Sequence, residues 1–422
     1  MDFLARFFYR YRRISKALRL FLIIAGPGII VMVADNDAGG ITTYAVTGSN
    51  YGYSLIWFMI LLGPVAYVVQ EMCVRLGAVT KRGHAEAIFD AFGSFWGWFS
   101  LIDLTITDFL TIVTEFIGMT TALAIFHIPP IATVIILIVL IMAMVMQGRY
   151  WTWEKLVLIF CILNIIYIPA AFLVHPSVSD VLRQGLIPNF SGGFSGDLFF
   201  ILMAIIGTTI APWMLFFHQS AVVDKGLQEK DIQWEQVDTA VGSLTTVITA
   251  AFIIIVTGTV LRGVNIQSAA EAASLIMGIN QYVGTFLAIG LFDAGLLGAI
   301  CISLASSWAL GEVFGWAHSL NSKVRQAPWF SIFRFIILVA AGTVVLIPGA
   351  PLVLITLFVQ VIAVTLLPAA LVFLILLLNN EELVGKYKNN LTQNILASVI
   401  VGVIVVLSTL YGITTLFPNL FK

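Results

Sequence analysis

Between two apolar stretches, 18–33 and 41–51, lies the segment Ala34-Asp35-Asn36-Asp37-Ala38-Gly39-Gly40. A charge at bilayer depth costs roughly 2.5–3.5 kcal/mol on insertion scales, so carboxylates there face a polar cavity and carry function. The two glycines lower helix propensity by about 1 kcal/mol each and release the backbone from the helical ladder. The chemistry this implies is cation binding. A helix broken at mid-membrane would turn freed carbonyls, among them that of Ala34, and the Asp37 carboxylate toward a positive ion, with the Asn36 amide beside them. Asp35 either lines the pathway or caps a half-helix.

A second interruption stands at Ile206-Gly207-Thr208-Thr209-Ile210-Ala211-Pro212-Trp213. Pro212 cannot donate to the ladder and disfavours helix at Ala211, while Thr208 and Thr209 offer polar substitutes or simply bond back to the preceding turn. Two breaks five spans apart are the pattern of an inverted-repeat transporter with its site near the midplane. Glu115 is the best second acid, on a third helix that also carries Asp103 and Asp108. His218 lies toward the inner end of the sixth span, where a satisfied interfacial histidine and a proton carrier are equally good readings. Gln360, in the tenth span, serves either as a ligand or as interhelical glue.

The elements that must position these residues are membrane helices. Of 422 residues, 60% are hydrophobic and 10% charged, and the mean hydropathy is +1.03; this is a polytopic membrane protein without room for a large soluble domain. About eleven apolar runs can cross a core about 30 Å thick: 20–48 (broken), 53–76, 98–126, 130–147, 153–174, 197–223, 236–261, 277–317, 329–347, 351–379 and 393–417. With the N-terminus inside, the cytoplasmic segments collect the basic residues of 1–19 with Arg75, Lys81, Arg82, Arg149, Lys155, Lys225, Lys230, Lys323, Arg325, Lys386 and Lys388. The outside receives Arg183, Arg262 and Lys422, which places the C-terminus outside. The expected organisation is a cytoplasmic segment 1–19, a transporter core 20–380 with repeats 20–175 and 196–380, and a loop with an extra C-terminal helix in 381–422. A formal charge of −1 gives no field for nucleic acid. Cys73, Cys161 and Cys301 read as packing thiols. Trp57, Trp96, Trp98 and Trp329 suit interfacial anchoring. No protease aspartate pair or zinc-protease motif is present, so the chain reads as a transporter and not an enzyme, with no cofactor and no obligatory protein partner.

These residues also carry a family resemblance. Gly26-Pro27-Gly28 followed by Asp37-Ala38-Gly39-Gly40 resembles the first helix of the Nramp divalent-metal transporters, whose tetrapeptide is Asp-Pro-Gly-Asn. Gly207 to Trp213 with His218-Gln219-Ser220 is similar to the family's sixth-helix motif. Gln70, Arg75-Leu76-Gly77, Glu115-Phe116-Ile117-Gly118, Gln360 and Leu367-Pro368 add to the match, which runs from about residue 20 to 415. The resemblance implies an all-α LeuT-type 5+5 inverted repeat with helices 1 and 6 broken, at the cell's inner (plasma) membrane.

The departures imply a particular branch. The family's metal-binding Asn is Gly40 here, its thioether Met is Ala211, and its His after the sixth-helix Pro is Trp213. This pattern is similar to the Nramp-related magnesium transporters. Sulfur suits transition metals, whereas oxygen ligands and retained water suit Mg²⁺ and Mn²⁺. Loss of the Met and Asn is also expected to enlarge the site. The implied function is alternating-access transport of Mg²⁺, with Mn²⁺ as a second substrate and without proton coupling, because Trp213 cannot titrate and an acid beside a bound dication stays ionised. The competing readings are a proton-coupled Mn²⁺/Fe²⁺ transporter, using Glu115 and His218, and a cation-coupled carrier of organic solutes.

Overall fold

The structure is a computed structural model that describes residues 21, 23–188 and 196–416. The N-terminal segment 1–19 and Lys422 lie outside the described residues, as does 189–195 of the long connection after the fifth apolar run.

The first apolar run forms two helices, α1 (Pro27–Ala34) and α2 (Ala38–Tyr51), separated at Asp35–Asp37. Local chemistry sets both ends of α1. Gly26, at φ +152°, turns the chain in a conformation that L side chains rarely adopt, and Pro27 supplies a first helical residue with its φ already fixed. At the far end, the Val33 carbonyl takes the N–H of both Asp35 and Asn36, which ends the ladder. Asp37 then restarts it as an extended N-cap, φ −73° and ψ 177°, its carboxylate accepting from the Gly40 N–H at 2.6 Å.

The following elements are α3 (Ile56–Thr80), α4 (His84–Phe92), α5 (Ser94–Ala124), α6 (Pro130–Val145), α7 (Tyr150–Leu163), α8 (Tyr167–Leu173) and α9 (Val178–Gly185). The second half contains α10 (Gly196–Thr209), α11 (Pro212–Lys225), α12 (Ile232–Val260), α13 (Ala269–Ile279), α14 (Gln281–Phe314), α15 (Pro328–Val345), α16 (Leu352–Asn379), α17 (Glu381–Val384) and α18 (Leu391–Leu416). The sixth run is broken between α10 and α11, where Ala211 is extended and Pro212 opens the next helix. The protein is a multi-pass membrane protein. Among the described residues, eight helical stretches are long and apolar enough to span a bilayer. The other expected runs fall on the α1–α2 pair, on α5 with its three acids, and on the 16-residue α6.

Two boundaries differ from the sequence expectation. The eighth run, read as continuous from 277, starts instead at α14, because the Asn280 side chain accepts the N–H groups of Tyr282 and Val283 and caps a new helix. The fifth run is interrupted by a 3₁₀ turn at Asn164–Ile166.

Burial locates the centre of the bundle. Within the best apolar window of each stretch, 94% of residues in Gly196–Lys225 and 89% in Gln281–Phe314 are buried, against 11% in Leu391–Tyr411. The second broken helix and α14 therefore form the core, and α18 lies at the periphery. Cys73, Cys161 and Cys301 are free and buried. Trp96, Trp98 and Trp329 are exposed near helix ends, as interfacial anchors require.

Candidate metal-ion site

Each break releases carbonyls. In a continuous helix the Ala34 carbonyl would accept from Ala38, but the Ala38 N–H donates to Glu115 Oε2 at 3.0 Å. At the second break the Thr208 carbonyl should accept from residue 212, a proline without an N–H. The N-terminus of α2 thus faces two carboxylates, Asp37 through Gly40 and Glu115 through Ala38. Asp35, Asn36, Asp37 and Glu115 are all buried.

Close helix approach brings the two breaks together. A Cβ on Gly40 would lie 2.3 Å from the Thr208 hydroxyl, and one on Gly39 would lie 1.9 Å from the Gln360 amide nitrogen. A Cβ on Gly207 would lie 2.0 Å from the Gln360 carbonyl oxygen. Gln360 on α16 therefore sits against both breaks at once. Across the bundle, a Cβ on Gly298 of α14 would come within 2.8 Å of Glu115 Oε2 and 3.2 Å of the Asp37 Cβ.

Unpaired polar atoms mark what this arrangement leaves available. Among the described residues, Asp35 Oδ2, Asn36 Oδ1, Thr208 Oγ1 and Gln360 Nε2 are buried without a hydrogen-bond partner. Other polar groups at the breaks are committed. Asn36 donates from its amide to the Thr246 carbonyl at 3.3 Å, and Thr209 bonds back to the Ile205 carbonyl at 2.7 Å. Of the two threonines, then, Thr208 faces the first break and Thr209 satisfies its own helix. Glu115 holds backbone and the Thr114 hydroxyl, so its first role is to anchor α2.

Three sequence expectations need revision. No space opens at Gly40, because Thr208 already occupies the volume that a side chain there would take. Ala211 offers no sulfur of its own, yet its N–H donates to Met214 Sδ at 3.3 Å, so a thioether is present at this break and is held as a helix cap. Trp213, expected on the pathway, packs its ring against Phe217 in an aromatic cluster with Trp153 and Trp308. His218 lies one turn further along α11, bonded through Nδ1 to the side-chain oxygen Oε1 of Gln70 at 2.9 Å and facing Glu235 Oε2 at 4.0 Å.

The sequence reading missed the support of α1. Buried Asp238 of α12 accepts the N–H groups of Gly26 at 2.9 Å, Gly28 at 2.7 Å and Ile29 at 3.2 Å, satisfying the orphan donors at the α1 N-terminus. Lys225, at the end of α11, completes the junction by donating to the Ile24 and Ala25 carbonyls and pairing with Glu154 at 2.7 Å. An acid inside an apolar run was the available signal for Asp238. Its partners, more than 200 positions away, left no local trace.

The donors at the breaks are the carboxylates of Asp35 and Asp37 with carbonyl, amide and hydroxyl oxygens. Among the described residues no three His, Cys, Asp or Glu side chains group as a metal cluster. An oxygen set suits a hard cation that keeps part of its water shell.

A multi-pass helical fold with two facing helix breaks at one buried polar site defines a membrane-transport architecture. The family model described as "Natural resistance-associated macrophage protein-like" matches residues 28–414, and the chain belongs to this Nramp family. A protein of Caldanaerobacter subterraneus named divalent metal cation transporter MntH is 27% identical over 414 residues, covering 94% of each chain. A protein of Brucella suis bearing the same name is 24% identical over 416 residues, covering 94% of this chain and 90% of that one. Among solved structures, the Eremococcus coleocola manganese transporter superposes with a TM-score of 0.76 at 20% identity, covering 94% of this chain and 88% of that one. MhsT in complex with L-phenylalanine gives a TM-score of 0.55 at 13% identity over 91% of this chain and 98% of that one. The fold is the LeuT-type inverted repeat.

Proposed function

We propose that this chain carries divalent cations across the plasma membrane by alternating access, with Mg²⁺ as its main substrate and Mn²⁺ as a second. The observation that carries this reading is the meeting of Asp37 and the Thr208 hydroxyl at Gly40, beside carbonyls that the two breaks leave without a helical partner, while the Met214 sulfur accepts from the Ala211 N–H. The names of the relatives support a divalent metal as cargo. The repeats would be 20–175 and 196–380, rocking about the two breaks.

The end-to-end distribution of basic residues supports a cytoplasmic N-terminus and an external C-terminus. Arg75 reaches the Tyr387 carbonyl and Asn389, Lys81 reaches the Leu227 carbonyl, and Lys225 reaches Ile24. The basic loops thus gather at one end of the bundle, while Ser49 meets the 261–264 turn at the other.

Proton coupling is absent from this reading. Glu115 is engaged by backbone, and the residue between the break and His218 that a proton would need is an indole packed among aromatics. A proton-coupled Mn²⁺/Fe²⁺ carrier is the competing reading, favoured by the buried His218–Glu235 pair. The test of the site is divalent-ion flux into proteoliposomes. Asp37→Ala should abolish flux of Mg²⁺ and Mn²⁺ with the protein still folded; wild-type flux in the variant would refute the assignment.

A further inference from the structure

A groove on the outside of the bundle follows the seam between α3 and α12, away from both helix breaks. Two hydrogen bonds fix this antiparallel seam: Gln236 donates to Glu71 Oε1 at 3.0 Å, and the Ser243 hydroxyl donates to the Gly63 carbonyl at 2.8 Å. The two ends of the groove differ in chemistry. At the end where the basic loops gather, a hollow of about 480 Å³ is lined by Glu71 and Arg75 of α3, Glu229 and Lys230 before α12, and Lys386 and Lys388 before α18. Toward mid-membrane, a second hollow of about 420 Å³ is lined by Ile60, Gly63, Pro64, Tyr67, Leu244 and Val247. Both volumes are in the range of ligand sites. Glu71 and Tyr67 are one helical turn apart, so the polar hollow leads into the apolar one.

The existing bonds show which charges remain for a ligand. Arg75 pairs with Glu71 at 3.0 Å and donates to the Tyr387 carbonyl at 2.9 Å and to Asn389 at 2.8 Å, so it forms the floor of the mouth. Lys388 pairs with Glu381 at 2.5 Å. Lys230 and Lys386 are exposed and take part in no ion pair among the described residues. Four cationic side chains thus stand against the carboxylates of Glu71 and Glu229. The apolar end opens to lipid, with Ile60 45% and Leu244 62% exposed.

We propose that this groove binds one anionic phospholipid, its phosphate headgroup at Lys230 and Lys386 and an acyl chain along the α3–α12 seam. The leaflet is that of the basic end, the cytoplasmic one in the orientation proposed above. The dimensions agree: from Arg75 back to Ile60, α3 extends about 22 Å, which is half of the roughly 40–45 Å of a bilayer with its headgroups. Tyr67, half-buried between the two hollows, puts an amphipathic ring at the boundary of headgroup and chain. A free phosphate would fill the mouth and leave the apolar cleft unused. A neutral lipid would fill the cleft and leave the lysines without a counter-charge. Basic pockets between helices at the cytoplasmic side are suited to anionic headgroups.

The experiment counts bound lipid. Delipidated protein is titrated with phosphatidylglycerol or with phosphatidylcholine of the same chains, and adducts are resolved by native mass spectrometry. The site predicts one phosphatidylglycerol retained at concentrations where phosphatidylcholine is not, with an affinity that falls as salt is raised. The double variant Lys230→Ala, Lys386→Ala should raise the phosphatidylglycerol Kd roughly 30-fold, about fivefold per lysine. Ala240→Trp, which fills the apolar cleft from α12, should lower retention with the headgroup charges intact. Asp37→Ala should bind the lipid as the parent does, so failure here is separable from failure of the divalent-ion site. Equal retention of the two lipids would overturn the proposal, as would unchanged affinity in the double lysine variant. Displacement of the lipid by glycerol phosphate at matching concentration would also overturn it, by showing a site for soluble phosphate.

Discussion

Replacing Gly39 by alanine tests whether Gln360 is a ligand or only a spacer between the two breaks. The new Cβ would lie 1.9 Å from the Gln360 Nε2 atom, the far end of a flexible side chain, and 3.3 Å from Asp37 Oδ1. The amide must therefore swing away, at a rotamer cost of about 0.5–1.5 kcal/mol. Alanine in place of glycine within α2 returns about 1 kcal/mol of helix propensity. Stability should thus change by less than about 1 kcal/mol, while the amide leaves the break. If Gln360 contacts the ion or its water shell, the lost contact to a charged partner is worth about 1.5–3 kcal/mol, roughly a 10- to 150-fold rise in Kd. Calorimetric Mn²⁺ titration of Gly39→Ala, Gln360→Ala and the double variant provides the assay. The two single variants should be similar and the double variant no worse than either, as expected for changes acting through one group. Fully additive losses, or wild-type affinity in Gln360→Ala, would refute the reasoning.

Further outcomes follow from the same geometry. Gly207→Ala should lower stability by about 1–3 kcal/mol in detergent melts, because its Cβ would meet the Gln360 backbone carbonyl at 2.0 Å and backbone cannot swing aside. Thr208→Ala should weaken Mn²⁺ binding measurably, whereas Thr209→Ala, which removes a bond to its own helix, should not. Ala211→Met should raise the Mn²⁺ and Cd²⁺ affinities relative to Mg²⁺ by adding a sulfur that is not tied to a backbone amide; an unchanged ratio by calorimetry would place selectivity elsewhere. Asp238→Asn keeps the shape of the α1 cap but removes its charge, and should expose cysteines introduced into α1 to a cytoplasmic thiol reagent more readily than in the parent.

Much of the architecture was legible because its signals are local. Gly-Gly beside Asp37 and Pro212 after two threonines break helices by backbone chemistry alone, and the apolar runs mark the spans. Long-range packing was not legible. The choice between Thr208 and Thr209 depends on which one faces Gly40, and the cap on α1 comes from Asp238, 210 positions from Gly28. The expected enlargement at Gly40 failed for the same reason: a missing side chain is space only if no neighbour fills it. The Met214 sulfur, three residues past Ala211, shows that residue-by-residue comparison of a motif misses donors shifted by one turn.

The central claim is uncoupled divalent-cation transport, driven by the ion gradient and a membrane potential that supplies roughly 4.6 kcal/mol per 100 mV to a doubly charged ion. The most direct measurement is Mg²⁺ and Mn²⁺ entry into proteoliposomes that hold a pH-sensitive dye, with an imposed potential and Asp37→Ala as control. The account predicts potential-dependent metal entry, absent in Asp37→Ala, with internal pH unchanged. Metal-dependent acidification of the interior would contradict it and return Glu115 and His218 to the role of proton carriers.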